Sequence, residues 1–252
     1  MRRWAGECLM SVLAAATGIA VLAGTAAAQD AAIEPDFAIW DVQLGQPVTA
    51  IPDSAAAIIA CGTNGGPISI ELKSFGDWQQ CTPEASGLRE ISFTYDDEKD
   101  YIARALALEY RALHGGTSVY AHPVVLSVLV DDKGIAQGIR IVTDDRASDA
   151  DRRLAVVLSR NLQSRYGAWN LKCEDFPMLA GEQPVGGTFI HDRCTGTNPD
   201  GSGQAVLIEG RHLRKKGQEG LNRDTQEVNT GYYQSESRLE VVNPPYLPTE
   251  GS

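Results

Sequence analysis

Residues 124–142 read VVLSVLV-DDKG-IAQGIRIV and contain the strongest strand pattern of the chain. Two runs rich in β-branched residues, 124–130 and 135–142, flank the polar link 131–134. Such runs favour strands, and a short polar link that contains glycine favours a tight turn. The stretch therefore predicts an antiparallel hairpin. Strands joined by a hairpin, without a helical crossover, argue against a doubly wound parallel sheet.

The flanking sequence predicts further strands and two helices. Alternation of apolar and polar residues, or β-branched composition, predicts strands over 68–72, 89–95, 205–209 and 228–242, with a break in the last near Ser235, and a short strand or tight turn over 37–44. Apolar residues recur at helical spacing in 98–113 and in 148–166, and glycine follows each segment. We therefore expect an α+β fold, with antiparallel sheet and two principal helices.

The first 30 residues are typical of a secretory signal peptide. Arg2 and Arg3 precede an apolar run, and Ala26 and Ala28 occupy the small-residue positions of an Ala-x-Ala cleavage site. The apolar run is shorter than the roughly 20 residues that a membrane span needs, which disfavours the alternative of a membrane anchor. We expect cleavage after Ala28, a periplasmic or secreted product, and no integral membrane segment in the mature chain.

The cysteines that follow the signal peptide predict two local disulfides. Removal of residues 1–28 takes away Cys8 and leaves four cysteines, for which three connectivities exist. The spacings favour Cys61–Cys81 and Cys173–Cys194, because both loops then have about 20 residues. A zinc site would need closer cysteines, and a redox pair would need Cys-x-x-Cys. Each predicted disulfide stabilises the chain by about 3 kcal/mol in the chain-entropy model.

Charge and composition limit the domain organisation and the partners. We expect one exported domain over 29–243, with a division into two lobes, about 37–145 and 146–243, as a second arrangement, and a mobile proline-rich tail over 244–252. The chain has 22 basic and 33 acidic residues and a formal net charge of −11. An acidic surface argues against binding of nucleic acid, whose phosphates require basic patches.

One glycine-rich segment has the oxygen spacing of a calcium loop. Counted from Asn198, the side-chain oxygens of Asn198, Asp200, Ser202 and Glu209 fall at positions 1, 3, 5 and 12, with Gly203 at position 6. The ninth residue is an apolar valine, and no flanking helices are predicted, so the alternative is a turn between two strands. We therefore expect a turn and no cofactor, with calcium as the possible exception, for which these four residues are the candidate ligands.

Catalytic patterns give no prediction of a reaction. The four histidines lie outside H-E-x-x-H, and the sequence contains no G-x-S-x-G. His191 and Asp192 are neighbours, but neighbours on a strand point to opposite faces, which disfavours a catalytic dyad. We expect a non-enzymatic exported binding or accessory protein that acts on a protein partner or a small ligand. The alternatives are a protein that binds a hard cation, calcium or a lanthanide, and a periplasmic enzyme with a dispersed site.

Overall fold

A computed structural model of the chain describes residues 37–95, 117–147, 149–215, 220–221, 228–229 and 232–249. Within these residues the protein is mostly antiparallel sheet with few helices. In chain order the strands are β1 (Ile58–Cys61), β2 (Glu71–Leu72), β3 (Arg89–Thr94), β4 (Ser118–Val119), β5 (His122–Val130), β6 (Ala136–Thr143), β7 (Lys172–Asp175), β8 (Glu182–Gln183), β9 (Ile190–Thr197), β10 (Ala205–Lys215), β11 (Gly220–Leu221), β12 (Val228–Asn229) and β13 (Tyr232–Val242).

Most of the described strands belong to one large sheet. Eleven of them form it in the order β2-β1-β3-β5-β6-β13-β10-β9-β7, with β4 beside β5 and β8 beside β10. β11 and β12 pair with each other. Because β6 pairs with β13, strands from both halves of the chain share this sheet.

The hairpin predicted from the opening stretch is β5–β6, and the structure confirms it. Asp131 closes its turn, since its Oδ1 accepts hydrogen bonds from the backbone N–H groups of Lys133 and Ile135, both at 2.9 Å. Gly134 has a φ of +80° in the same turn. The break predicted near Ser235 is wrong, because Ser235 lies inside β13 and pairs with His212 of β10.

The helix predicted over 148–166 is observed as two consecutive helices, α1 (Asp149–Arg153) and α2 (Ala155–Arg165). Leu154 separates them, with φ −91° and ψ 1°. α2 packs on β10 and β13 and buries Leu158 and Leu162. Gly210 of β10 allows this close approach, because a Cβ there would lie 2.9 Å from the Ser159 hydroxyl. The other predicted helix, at 98–113, lies outside the described residues.

Short 3-10 turns form much of the segment before β3. Ile39–Asp41 is such a turn within the predicted segment 37–44, and Phe75–Gln80 is another. Only Glu71–Leu72 of the predicted strand 68–72 is assigned as strand. Ile39, Phe75 and Val48 are buried in the main apolar core with residues of β1, β3, β5 and β6. This segment and α2 therefore both contribute to the core.

Both predicted cysteine pairs are disulfides. Cys61–Cys81 joins β1 to the residue that follows the 3-10 turn Phe75–Gln80, and Cys173–Cys194 joins the neighbouring strands β7 and β9. In the described ranges no helix is long and apolar enough to cross a membrane. The predicted signal peptide lies outside the described residues.

Candidate functional site

The two faces of the sheet differ in chemistry because side chains alternate along each strand. The apolar face contains the row of opposed residues Phe93, Leu126, Ile141, Leu239, Ile208, Cys194 and Cys173. The polar face contains the row Ser92, Ser127, Arg140, Glu240, Leu207, Thr195 and Lys172, and beside it the row Val142, Arg238, Glu209, Arg193 and Glu174. The polar face thus carries charged side chains across the sheet from β6 to β7.

The centre of the polar face holds an ion cluster that consists of Arg140, Arg238, Glu84, Glu90 and Glu240. The Arg140 side chain is 0% exposed and lies 2.6 Å from Glu84 Oε1, 2.8 Å from Glu90 Oε2 and 2.8 Å from Glu240 Oε2. Arg238 Nη2 lies 3.0 Å from the same oxygen of Glu240. Charges buried to this degree are stable only when paired and hydrogen-bonded.

The charge state of the cluster follows from these contacts. Burial raises the pKa of Glu84, but the hydrogen bonds and the charge of Arg140 outweigh burial and hold the pKa below its ordinary value of 4.5. Burial and the neighbouring charge of Arg140 lower the pKa of Arg238. Glu90 accepts further hydrogen bonds from the Gly65 backbone and, at 2.7 Å, from the Ser127 hydroxyl. The charged groups of the cluster are therefore bonded to one another and to neighbouring residues of the fold.

The C-terminal segment covers the ion cluster. The Thr249 backbone N–H donates to Glu240 Oε1 at 3.0 Å, and its carbonyl accepts from Arg238 Nε at 3.2 Å. Arg140 Nη2 donates to the Thr249 hydroxyl at 3.1 Å. Asn243 adds a backbone hydrogen bond to Gln137 at 2.7 Å. The sequence predicts a mobile tail over 244–252; its described part, up to Thr249, forms these hydrogen bonds, and the mobility of the tail stays a prediction.

Further along the polar face, two arginines and a histidine surround Glu209. Arg211 Nη2 lies 2.8 Å from Glu209 Oε1, His191 Nε2 3.2 Å and Arg193 Nη2 3.8 Å. Phe176 stacks at 4.9 Å on His191 and at 4.6 Å under the Arg193 guanidinium. Burial raises the pKa of Glu209, but Arg211 outweighs burial and lowers it below 4.5. Glu209 is therefore an ion-pair partner within the strand.

The structure does not bring the four candidate calcium ligands together. Asn198, Asp200 and Ser202 lie in the turn between β9 and β10, where Asn198 Oδ1 accepts from the Asp200 backbone and Asp200 Oδ1 accepts from the Ser202 backbone. Glu209 lies four residues beyond the start of β10 at Ala205, about 13 Å at the usual rise per strand residue. Across the described residues no group of three or more His, Cys, Asp or Glu side chains could hold a metal ion.

The structure also separates His191 from Asp192. His191 contacts Glu209 on the polar face, whereas Asp192 Oδ2 accepts a hydrogen bond from Gln163 of α2, at 3.1 Å, on the apolar face. The two neighbours therefore point to opposite faces, as strand alternation predicts.

An open groove occupies the part of the polar face between the tail and the edge of the sheet, and we call it the edge groove. Its volume is about 720 Å³. It is lined by Trp169, Asn170, Lys172, Glu174, Arg193, Thr195, Gly196, Thr197, Ala205, Val206, Leu207, Leu247 and Pro248. β7, β9 and β10 form the floor, and Leu247 and Pro248 of the tail contribute apolar side chains. Leu247 is 74% exposed.

Trp169 is held in the groove by a close contact between backbones. A Cβ at Gly196 would lie 2.7 Å from the Trp169 carbonyl oxygen, so glycine is required there. The Trp169 ring packs edge-on against Tyr166 at 4.9 Å. Asn170 follows in the left-handed region, with φ +53°, and redirects the chain into β7. Trp169 also packs against the main apolar core, and Lys172 and Thr195 line the same groove.

The groove can offer a ligand both apolar and polar contacts. Trp169, Leu207 and Leu247 supply apolar surface, and Lys172, Thr195 and Arg193 supply hydrogen-bond donors. Its volume lies within the range of about 300–1,000 Å³ that is typical of ligand pockets. The arrangement is suited to binding.

Comparison of the chain with protein-family models, curated proteins and solved structures gave no match. The fold and the polar face therefore define the chain only as an antiparallel-sheet protein that is stabilised by two disulfides and carries an open groove.

Sequence reasoning missed both the ion cluster and the edge groove. A signal for the cluster exists, since Arg140 stands alone in the apolar run GIRIV, and Arg238 and Glu240 alternate with apolar residues in SRLEVV. A single charge inside a buried strand requires a partner. The groove has no comparable signal, because its residues come from β7, β9, β10 and the tail.

Proposed function

We propose that the chain is an exported binding protein that takes a small ligand, or a short segment of a partner protein, in the edge groove. The observation that carries the proposal is the groove itself, an open, amphipathic part of the polar face that the tail leaves uncovered. The signal-like N-terminus and the two disulfides support export, since disulfides persist in oxidising compartments.

The distribution of charge supports binding through the groove. In the ion cluster the charges are desolvated and paired with one another, so they are not available to a ligand. In the groove Lys172 is exposed and forms no ion pair with any described residue, which leaves its ammonium available to an anionic or hydrogen-bonding group. Trp169, which is half-buried, lines the same groove, and tryptophans are frequent anchors of binding sites.

A thermal-shift screen of the oxidised chain from residue 29 tests the proposal. The probes are free amino acids, di- and tripeptides, mono- and disaccharides, and small carboxylates. Thr195→Arg fills the floor of the groove, and Thr82→Arg, at an exposed position outside the groove, is the matched control. We expect a probe that raises the unfolding midpoint of the parent and of Thr82→Arg but leaves Thr195→Arg unchanged.

The opposite results would contradict the proposal. A probe that stabilises Thr195→Arg as much as the parent binds elsewhere on the molecule. The absence of any stabilising probe argues against a small ligand of these classes, and pull-down with the parent and with Thr195→Arg as baits then tests the partner segment. A partner retained equally by both baits would exclude the groove.

A further inference from the structure

β7 forms one end of the sheet, and no other described strand pairs with its outer side. It is the last strand in the order of the large sheet, and its four residues, Lys172–Asp175, are all exposed. The opposite end is β2, with two residues. An uncovered edge strand is a template for pairing with another strand.

The register with β9 shows which backbone groups of β7 point outward. The Phe176 N–H donates to the His191 carbonyl at 2.8 Å, which makes these two residues a hydrogen-bonded pair. Bonded and non-bonded pairs alternate in an antiparallel ladder, so Cys173 and Asp175 belong to non-bonded pairs. Their N–H and C=O groups therefore point away from β9. No backbone group in the described ranges bonds them from outside.

The side chains of β7 on the polar face carry opposite charges two residues apart. Glu174 lies opposite Arg193 of β9, so a positive charge faces it inside the sheet. Lys172 lies opposite Thr195, which has no charge. On the polar face, the charge of β7 that has no opposite charge facing it is therefore that of Lys172, and an incoming strand should present a carboxylate to it.

We propose that two copies of this chain pair antiparallel through β7, with Cys173 opposite Cys173 of the partner subunit. The outward backbone groups of Cys173 then bond each other across the two-fold axis. Lys172 lies opposite Glu174 of the partner subunit, and Glu174 opposite Lys172 of the partner subunit. Two reciprocal ion pairs thus form from one strand, as a two-fold interface requires.

The other antiparallel registers that use the same outward groups lack this complementarity. If the partner strand slides by two residues along β7 in one direction, Glu174 lies opposite Glu174 of the partner subunit. If it slides by two residues in the other direction, Lys172 lies opposite Lys172 of the partner subunit. Like charges directly opposite each other destabilise a strand pair. Of these registers, only the one centred on Cys173 places Lys172 opposite Glu174 of the partner subunit. This complementarity favours a second copy of the chain as the strand that pairs with β7.

The dimer has a consequence for the edge groove. Opposed residues of antiparallel neighbours lie on the same face of a sheet, so the two grooves open on the same side of the joined sheet. Lys172 and Glu174 line the groove and would also carry the interface. A strand of four residues buries less than a standard interface of about 1,600 Å², so we expect a dissociation constant in the micromolar range or weaker.

Sedimentation velocity of the oxidised chain from residue 29, at concentrations from about 1 to 500 μM in low salt, tests the proposal. We expect concentration-dependent dimerisation of the parent. Lys172→Glu and Glu174→Lys should each weaken self-association by about tenfold or more, because each creates two like-charge pairs. An equimolar mixture of the two variants should dimerise, and the double variant K172E/E174K should regain the parent's behaviour. Lys133→Glu, at an exposed position in the β5–β6 turn, is the control and should dimerise.

Two results would overturn the dimer. A parent chain that is monomeric over the whole range shows that the charges of β7 protect the edge from pairing. A dimer that survives in both single variants uses another surface. Circular dichroism shows whether each single variant is folded. If a single variant fails to fold, the double variant K172E/E174K tests the dimer instead.

Discussion

The ion cluster and the edge groove lie on the same face of the same sheet, yet they use charge in opposite ways. In the cluster, Arg140 is 0% exposed and three carboxylates surround it, under the cover of Thr249. In the groove, Lys172 is exposed and Leu247 is 74% exposed. The two regions differ in whether the C-terminal segment lies over the charged side chains of the sheet. Covered charges stabilise the fold, and uncovered charges are available for recognition.

The largest effect is expected when the cluster loses its central cation. Arg140→Ala leaves Glu84, Glu90 and Glu240 buried without their common partner, and such a loss costs about 3–5 kcal/mol of unfolding free energy. The control is Arg146→Ala, since Arg146 is 69% exposed and pairs with Asp144 at the surface. That change should cost about 0–1 kcal/mol. Urea unfolding measures both, and equal midpoints for the two variants would show that burial adds nothing to the value of Arg140.

Removal of the cover should have the next largest effect. A chain that ends at Asn243 loses the contacts of Thr249 with Arg140, Arg238 and Glu240. Loss of hydrogen bonds to charged groups costs about 1.5–3 kcal/mol each at most, and water that enters the cluster offsets part of the loss. We expect a lower urea midpoint and faster hydrogen exchange at the backbone of β6 and β13. Unchanged exchange would show that the tail does not shield the cluster.

Acid should weaken the ion cluster. The pKa of Glu84 is lowered in the folded chain, so its contribution to stability is fully present above the unfolded value of 4.5 and is lost as pH falls through the lowered folded value. The pKa of Glu209 is lowered too, and its contribution has the same sign. We expect unfolding free energy to fall below pH 4.5 and to fall less steeply in Glu84→Gln. Parallel pH profiles of unfolding free energy for the parent and this variant would show that protonation of Glu84 does not cause the loss of stability.

The sequence predicted those parts of the fold that depend on neighbouring residues. The β5–β6 hairpin follows from local β-branched runs and a four-residue link, and both disulfides follow from local spacing. The ion pair of Arg140 with Glu240 joins residues 100 positions apart, so no local pattern specifies it. The calcium spacing of Asn198 to Glu209 assumed a compact loop, whereas an extended strand carries Glu209 away from the turn. The edge groove depends on which strand ends the sheet and on where the tail lies, and both are products of long-range pairing.

The smallest effect on stability is expected in the groove, where a substitution should change binding and leave the fold intact. Leu247→Ala removes a side chain that is 74% exposed and lies only a few residues from the cover of the cluster. Surface substitutions of this kind change unfolding free energy by about 0.5 kcal/mol or less. The matched control is Leu154→Ala, at a site 57% exposed outside the groove. We expect both variants to unfold like the parent, whereas only Leu247→Ala weakens binding of a groove probe.

Calcium binding at Asn198, Asp200, Ser202 and Glu209 stays a prediction. Leu247→Ala and Leu154→Ala are controls for its test, because neither changes a candidate ligand. A calcium titration that raises the unfolding midpoint of the parent, and fails to do so in Asp200→Asn, would place a cation at the β9–β10 turn. Because Glu209 lies about 13 Å along β10 from the turn and is paired with Arg211, a site that uses all four residues requires β10 to rearrange. We therefore expect no rise in the midpoint, and an equal response of the parent, Leu247→Ala and Leu154→Ala. A stoichiometric rise would show that the turn rearranges around the ion, and the groove would then lie beside a metal centre.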